Sequence, residues 1–93
     1  FKMFSGELED VVIQFSKQLI GPVFDKFGED TPMMSVKDTT CAATVHVQIS
    51  PTFFGWLAQF GGSMCVISPN SVIEKYKQHV ASICYESLPF ATK

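Results

Sequence analysis

The sequence has few charged residues and no cluster of charges of one sign. Of its 93 residues 17% are charged, and 7 basic residues against 9 acidic ones give a formal net charge of -2. Because proteins hold duplex DNA through a concentrated basic surface, the chain alone is a poor candidate for a DNA-binding domain. It also lacks an uninterrupted apolar stretch long enough to span a bilayer, so we expect no association with a membrane.

Cysteine and histidine are too few and too widely spaced to indicate a metal site. The 3 cysteines, Cys41, Cys65 and Cys84, are odd in number, which is typical of reduced thiols in the cytoplasm and not of a secreted disulfide framework. Structural zinc sites draw on ligands a few residues apart, and neither these cysteines nor His46 and His79 have that spacing. The alternative, a cysteine nucleophile with a histidine base, is disfavoured because Cys41 and Cys84 fall in apolar patterns, where cysteine packs as a small hydrophobe. We expect no catalytic residue, no metal and no cofactor.

The first half of the chain carries the apolar patterns of three strands and one helix. Leu8–Ser16 alternates apolar and polar residues, as a half-buried strand does. Residues 19–27 have apolar side chains at helical spacing, and Gly28 is placed to end that helix. A weak apolar run at 33–36, a turn, and a clean alternation over 41–49 then predict a hairpin of the second and third strands.

Two serine-proline pairs introduce the helices of the second half. Ser50-Pro51 offers an N-cap hydroxyl and a proline at the first helical position, which predicts a helix over residues 52–60 that Gly61-Gly62 stops. Met64–Ile67 predicts a short fourth strand, and Ser68-Pro69 opens a last helix that runs to about Glu86. The expected apolar stripe of this helix consists of Ile73, Tyr76, Val80, Ile83 and Cys84.

The order β, α, β, β, α, β, α predicts an α+β fold. We expect a ferredoxin-like βαββαβ sandwich, in which a four-stranded antiparallel sheet lies under two helices, with an added C-terminal helix. The length suits a single domain over residues 1–93 with its core at 7–86. Because the chain begins Phe1-Lys2 without an initiator methionine, we expect it to be a piece excised from a longer protein.

Several short motifs, taken in order, resemble one known family. They are Asp25-Lys26-Phe27-Gly28, then Ser50-Pro51-Thr52-Phe53-Phe54-Gly55-Trp56-Leu57, then Phe60-Gly61, and then Ser68-Pro69 ahead of Tyr76. From about Glu7 to Tyr85 this pattern resembles the C-terminal extension, often called the WCX domain, of bacterial WYL-domain transcriptional regulators. In that family a winged helix-turn-helix and a small β-barrel precede the extension, and this sequence contains neither.

The resemblance implies a C-terminal regulatory domain of a DNA-binding regulator. Such a domain would sense an effector, hold a homodimer together, or pass a signal to the DNA-binding domain. Its partners would be the upstream barrel and helix-turn-helix of the same chain, with a small molecule or nucleotide as effector and DNA contacted only through the missing N-terminal domain. Two alternatives stay open: a small-molecule-binding regulatory domain of an enzyme, and a binder of single-stranded nucleic acid.

The polar face of the third strand is the candidate ligand site. Thr44, His46 and Gln48 lie on it, and Gln14 of the first strand is expected beside them. These side chains could hydrogen-bond a small polar ligand, and a histidine can change its charge near neutral pH. The alternative is a face that is only solvated. The face lacks the stacking aromatics and basic residues with which sheets bind single-stranded RNA.

The aromatic helix at residues 52–60 is the candidate interface. Phe53, Leu57 and Phe60 share one face of it, so we expect Phe54 and Trp56 to contact another domain or a second subunit. We also expect either a dimer or a conspicuous apolar patch around these two side chains. The alternative is that the aromatic cluster lines a ligand pocket.

Overall fold

Four strands and three α-helices make up the part of the chain that the computed structural model describes, residues 8–83. The elements are β1 (Leu8–Ser16), α1 (Ile20–Phe27), β2 (Met33–Lys37), β3 (Thr40–Gln48), α2 (Pro51–Ala58), β4 (Met64–Ser68) and α3 (Asn70–Ala81). The strands form one antiparallel sheet in the order β2-β3-β1-β4, so β1 and β3 are central. The predicted α+β class and the four-stranded antiparallel sheet are confirmed. Short 3-10 helices at Lys17–Leu19 and Gly61–Ser63 were not predicted.

The strand β1 buries every second side chain, as its alternating pattern predicts. Val11, Ile13 and Phe15 are buried in the core, whereas the residues between them stay partly exposed. The register places Ile13 opposite Ala43 and Phe15 opposite Cys41 on β3, and both partners are buried. Because successive side chains of a strand point to opposite faces, the sheet has one face against the helices and one face away from them.

The helix α1 ends where the sequence predicts, at a glycine whose backbone few other residues could adopt. Gly28 has φ 101° and ψ 152°, a region almost restricted to glycine. Its N–H donates to the carbonyl of Phe24 at 2.8 Å, and its own carbonyl accepts from the Thr31 hydroxyl at 2.7 Å. These bonds turn the chain from α1 towards β2.

The helix α2 begins with the predicted cap and ends two residues earlier than predicted. The N–H of Phe53 donates to the Ser50 hydroxyl at 3.2 Å, which satisfies one of the free donors of the first turn. Gln59 is the C-cap, and Gly61 has a φ of 57°. Phe53, Phe54 and Leu57 are the buried residues of this helix.

The helix α3 is shorter than predicted and its apolar stripe is different. It ends at Ala81, where the Ser82 hydroxyl donates to the carbonyl of His79 at 2.6 Å, and residues 84–86 lie outside the described part of the chain. Val72 is fully buried, and Ile73 and Tyr76 pack against the core. Val80 and Ile83, by contrast, are exposed. Ser68 ends β4, so Pro69 and not the serine precedes the helix.

Candidate functional site

Residues 8–83 leave one face of the sheet without a covering helix, and we call it the open face. Opposed pairs on it are Asp10 with His46, Val12 with Thr44, and Gln14 with Ala42. Met34 of β2 and Cys65 of β4 extend the middle of this face to both edges, because Met34 lies opposite Ala42 and Cys65 opposite Gln14. The middle of the open face therefore carries Met34, Ala42 and Cys65 with one polar side chain, Gln14, whereas Asp10, His46 and Gln48 lie towards one end beside the exposed Leu8.

All four predicted ligand-binding residues lie on the open face. Thr44, His46 and Gln48 alternate along β3, and Gln14 projects from β1 on the same side of the sheet. The register puts Gln14 opposite Ala42 and therefore diagonal to Thr44, whereas Val12 lies directly opposite Thr44. The role of these residues in binding remains our hypothesis.

His46 is held by a carboxylate that the sequence analysis missed. Its Nδ1 lies 2.7 Å from Oδ1 of Asp10 on the neighbouring strand, so the ring N–H can donate to this oxygen. The His46 and Asp10 side chains are 62% and 74% exposed. The alternating pattern of β1 placed Asp10 on the same face as Gln14, but only the pairing register brings it opposite the histidine. In this pair the Nδ1 side of the imidazole ring faces the Asp10 carboxylate.

A shallow apolar depression lies next to this pair on the open face. It has a volume of about 330 Å³ and is lined mainly by Val12, Pro32, Met34, Ala42 and Thr44. Ala42 points away from the core, yet it is only 6% exposed because its short side chain lies between longer neighbours. The alanine therefore forms the floor, and we call this surface the apolar depression.

A second depression adjoins the first and carries acidic groups. It also measures about 330 Å³, and its polar lining includes Asp10, Asp30 and His46. Pro32 and Thr44 line both depressions, so the two adjoin each other. We call the second one the acidic depression. The absence of a side chain at Gly28 leaves room for the Asp30 carboxylate of this depression. A Cβ at Gly28 would lie only 3.1 Å from Oδ1 of Asp30.

The partly exposed Trp56 lies at a separate surface between α1 and α2. Its ring contacts Phe27 edge-on at 5.3 Å and Phe60 at 5.1 Å between centroids. The Lys26 ammonium lies 5.8 Å from the centre of the indole, within cation–π distance. Pro22 and Gln59 help to line a depression of about 590 Å³ here, which we call the Trp56 surface.

The burial of Phe54 contradicts the expectation that this side chain contacts another domain or a second subunit. Phe54 is fully buried, and its ring lies 5.1 Å from Tyr76 and 5.3 Å from His79 between centroids. The physical reason is α3, which packs over the side of α2 that carries Phe54. Burial also raises the pKa of the Tyr76 hydroxyl above its ordinary value.

Exposed large apolar side chains occur at several separate places in the described residues. Leu8 and Met34 are exposed on the open face, Val36 and Ile67 are exposed on the edge strands β2 and β4, and Val80 and Ile83 are exposed near the end of α3. None of these six belongs to α2, which carries Phe54 and Trp56, and self-association stays a prediction.

Neither a metal cluster nor a membrane-spanning helix occurs in the described residues. Between positions 8 and 83, no group of three or more acidic, cysteine or histidine side chains could hold a metal ion. No helix within the same range is long and apolar enough to cross a membrane. Cys41 is buried and Cys65 exposed, whereas Cys84 lies outside the described residues.

Comparison with known proteins gives one match. The family model described as the WCX domain matches residues 7–83, which is more than half of the chain and spans every element from β1 to α3. No curated protein and no solved structure matches the chain.

Proposed function

The chain belongs to the WCX domain family, and from this premise we propose that it is the regulatory C-terminal domain of a WYL-type, DNA-binding transcriptional regulator. The match over residues 7–83 carries the proposal. In such a protein the helix-turn-helix upstream would contact DNA, and the net charge of -2 fits a domain that does not. In this proposal the domain acts by binding and performs no catalysis. The regulator as a whole would act in the bacterial cytoplasm.

We further propose that the fold is ferredoxin-like and that residues 1–93 act as one domain with its core at 7–86. The element order β, α, β, β, α, β supports this assignment. The sheet order β2-β3-β1-β4, in which every pair of neighbours is antiparallel, supports it as well. The helix α3 is then an addition after the last strand.

Effector sensing on the open face is the role that we favour for the domain. This role is supported by the two adjoining depressions beside Thr44 and His46. Sites for small molecules are typically concave and largely apolar, with a few oriented polar groups. The Asp10 carboxylate orients one such group by its 2.7 Å contact with His46. Gln14 and Gln48 could add hydrogen bonds at the margins of a bound molecule.

Dimerisation is a second candidate role, and a different observation favours it. Leu8 and Met34 are exposed apolar side chains on the open face, and burial of such side chains by a partner subunit is favourable. The Trp56 surface is a candidate contact with the upstream barrel of the same chain, because partly exposed tryptophans often anchor interfaces.

The first test is the sequence of the full-length protein, in the part that lies N-terminal to this chain. A winged helix-turn-helix followed by a small β-barrel is the expected result, and a parent protein without a helix-turn-helix contradicts the proposal. A catalytic domain upstream would support the alternative, a small-molecule-binding regulatory domain of an enzyme.

The second test is the solution mass of the 93-residue chain by light scattering, with and without nucleotides and short single strands. A dimer that ignores these additions supports assembly as the chief role. A monomer that shifts on addition supports sensing. Salt-sensitive binding of single strands by the isolated chain would support the nucleic-acid alternative instead.

A further inference from the structure

We propose that the apolar depression of the open face and the adjoining acidic depression, whose lining also includes Phe27 and Val45, together bind a small amphiphilic cation, an amine with a short alkyl body. This deepens the sensing role and rests on the proposed function for its regulatory meaning, although binding by the chain does not depend on the parent protein.

The two depressions form one site of the size of a short chain molecule. They meet at Pro32 and Thr44, and the strand β3 runs beneath both, from Ala42 in the apolar part to His46 in the acidic part. Four residues of strand span roughly 13 Å, at about 3.3 Å for each residue. Each depression, at about 330 Å³, lies at the small end of ordinary ligand pockets.

The apolar depression suits an alkyl group and offers few hydrogen bonds. Val12, Pro32 and Met34 form its walls, and Ala42 forms its floor. Each methylene that is fully removed from water raises affinity by about fourfold, so a chain of several carbons gains measurably over a single methyl group.

The acidic depression determines the charge of the occupant. Asp10 and Asp30 both line it, and no lysine or arginine is among the described residues that line either depression. In the Asp10–His46 pair the carboxylate of Asp10 accepts one hydrogen bond, from the ring N–H of His46. A carboxylate has about four lone pairs, so the Asp10 oxygens can also accept hydrogen bonds from an ammonium group. The Thr44 hydroxyl, at the junction, is a further acceptor. An anion would meet two carboxylates here and is disfavoured.

The depth of these depressions predicts weak binding that is nevertheless selective for charge and chain length. The site lies at the protein surface, where water screens the charges, so affinity in the millimolar range is expected. Hexylamine is a suitable probe because it is a cation at neutral pH. Hexanoate is its matched anion, and methylamine is the same cation without the alkyl body.

The experiment is an amide chemical-shift titration of the 93-residue chain at neutral pH and low salt. Hexylamine is expected to shift the amides of Ala42, Thr44 and His46, with hexanoate and methylamine each binding at least about tenfold more weakly. Equal binding of hexanoate overturns the proposal, as does an absence of shifts in the millimolar range. Shifts confined to the Trp56 surface overturn it too.

Two substitutions test the location of the site. Ala42→Leu fills the apolar depression and is expected to weaken hexylamine binding by about tenfold. Thr40→Leu is the matched control, since it adds the same side chain to the same strand and face but outside both depressions. Asp30→Asn removes one carboxylate with little change of shape and should reduce the preference for hexylamine over hexanoate. If Ala42→Leu and Asp30→Asn both bind hexylamine with the affinity of the wild type, the proposal is contradicted.

Self-association is the competing use of this face. If hexylamine has no effect while Ala42→Leu changes the solution mass, a second copy of the chain occupies the face and the amine proposal fails.

The amine proposal and the proposed function are tested independently. Amine binding to a chain whose parent lacks a helix-turn-helix would sustain this inference and end the regulator assignment, and the reverse result would end only this inference.

Discussion

The ring of Phe54 lies 5.1 Å from the ring of Tyr76, centroid to centroid, and this contact joins α2 to α3. Phe54 also lies 5.3 Å from the His79 ring, and Val72 is fully buried one turn before Tyr76. The helix that follows the edge strand β4 is thus attached to the domain by a few large side chains of its first two to three turns.

Truncation of Phe54 should destabilise the domain strongly. Replacing a buried phenylalanine by alanine costs about 3 to 5 kcal/mol of unfolding free energy, which is a large part of the stability of a small domain. Phe54→Leu keeps more volume and should cost about 1 to 2 kcal/mol, so it remains measurable by urea unfolding if the alanine variant does not fold. Val80→Ala is the control on α3, and its exposed side chain should change stability by less than about 0.5 kcal/mol. Equal losses in the Phe54 and Val80 variants would contradict this account.

Local patterns were sufficient to predict the four strands and the start of α2. The strand β1, Leu8–Ser16, is predicted by Val11, Ile13 and Phe15 on alternate positions, and the start of α2 is predicted by the Ser50 hydroxyl and Pro51. Such signals depend on neighbouring residues only, so no knowledge of the tertiary structure is needed. Gly28 belongs to the same class, because its backbone conformation alone ends α1.

Contacts between distant segments decided what the sequence could not predict. Phe54 is buried because α3 returns over α2, and no pattern within residues 52–60 encodes the position of a later helix. Asp10 meets His46 through the β1–β3 register, across 36 residues of sequence. The apolar depression depends on Ala42 being smaller than the side chains around it, which only the assembled sheet brings together.

Alanine substitutions at Gly28 and Gly55 should have opposite effects on stability. At Gly28 the φ of 101° is unfavourable for alanine, and its Cβ would lie 3.1 Å from Oδ1 of Asp30. We expect Gly28→Ala to lower the free energy of unfolding by about 1 to 3 kcal/mol. At Gly55, inside α2, a Cβ meets no atom within 4 Å, so Gly55→Ala should raise that free energy by about 0.5 to 1 kcal/mol. Urea unfolding of both variants measures the signs, and a common sign would refute the explanation.

The stability of the domain should fall at alkaline pH in part because of Tyr76. Burial raises the pKa of this tyrosine above its ordinary value of 10.0, since the phenolate is poorly solvated in the folded state. The unfolded chain therefore releases this proton at a lower pH than the folded chain does. The contribution of Tyr76 to stability is fully present below a pH of about 10 and is lost as the pH rises through the folded pKa.

Tyr76→Phe isolates this effect, because phenylalanine keeps the ring contact with Phe54 and has no hydroxyl to ionise. Urea midpoints of the wild type and the variant, followed from neutral to alkaline pH, should move apart above a pH of about 10, with the wild type losing more stability. Parallel curves over this range would show that the hydroxyl does not titrate differently in the folded state.

A double-mutant cycle on Asp10 and His46 should give a small coupling energy that weakens with salt. The 2.7 Å contact joins side chains that are 74% and 62% exposed, so water and ions screen their attraction. We expect about 0.2 to 1 kcal/mol from urea unfolding of Asp10→Asn, His46→Gln and the double variant. Val12→Ala with Thr44→Ala is the control cycle, since this opposed pair on the same face carries no charge and its coupling should not respond to salt. A coupling energy well above about 2 kcal/mol would mean that the pair is shielded from water and stabilises the sheet. A small coupling energy would mean that the pair contributes little to stability and serves mainly to orient His46 at the edge of the acidic depression.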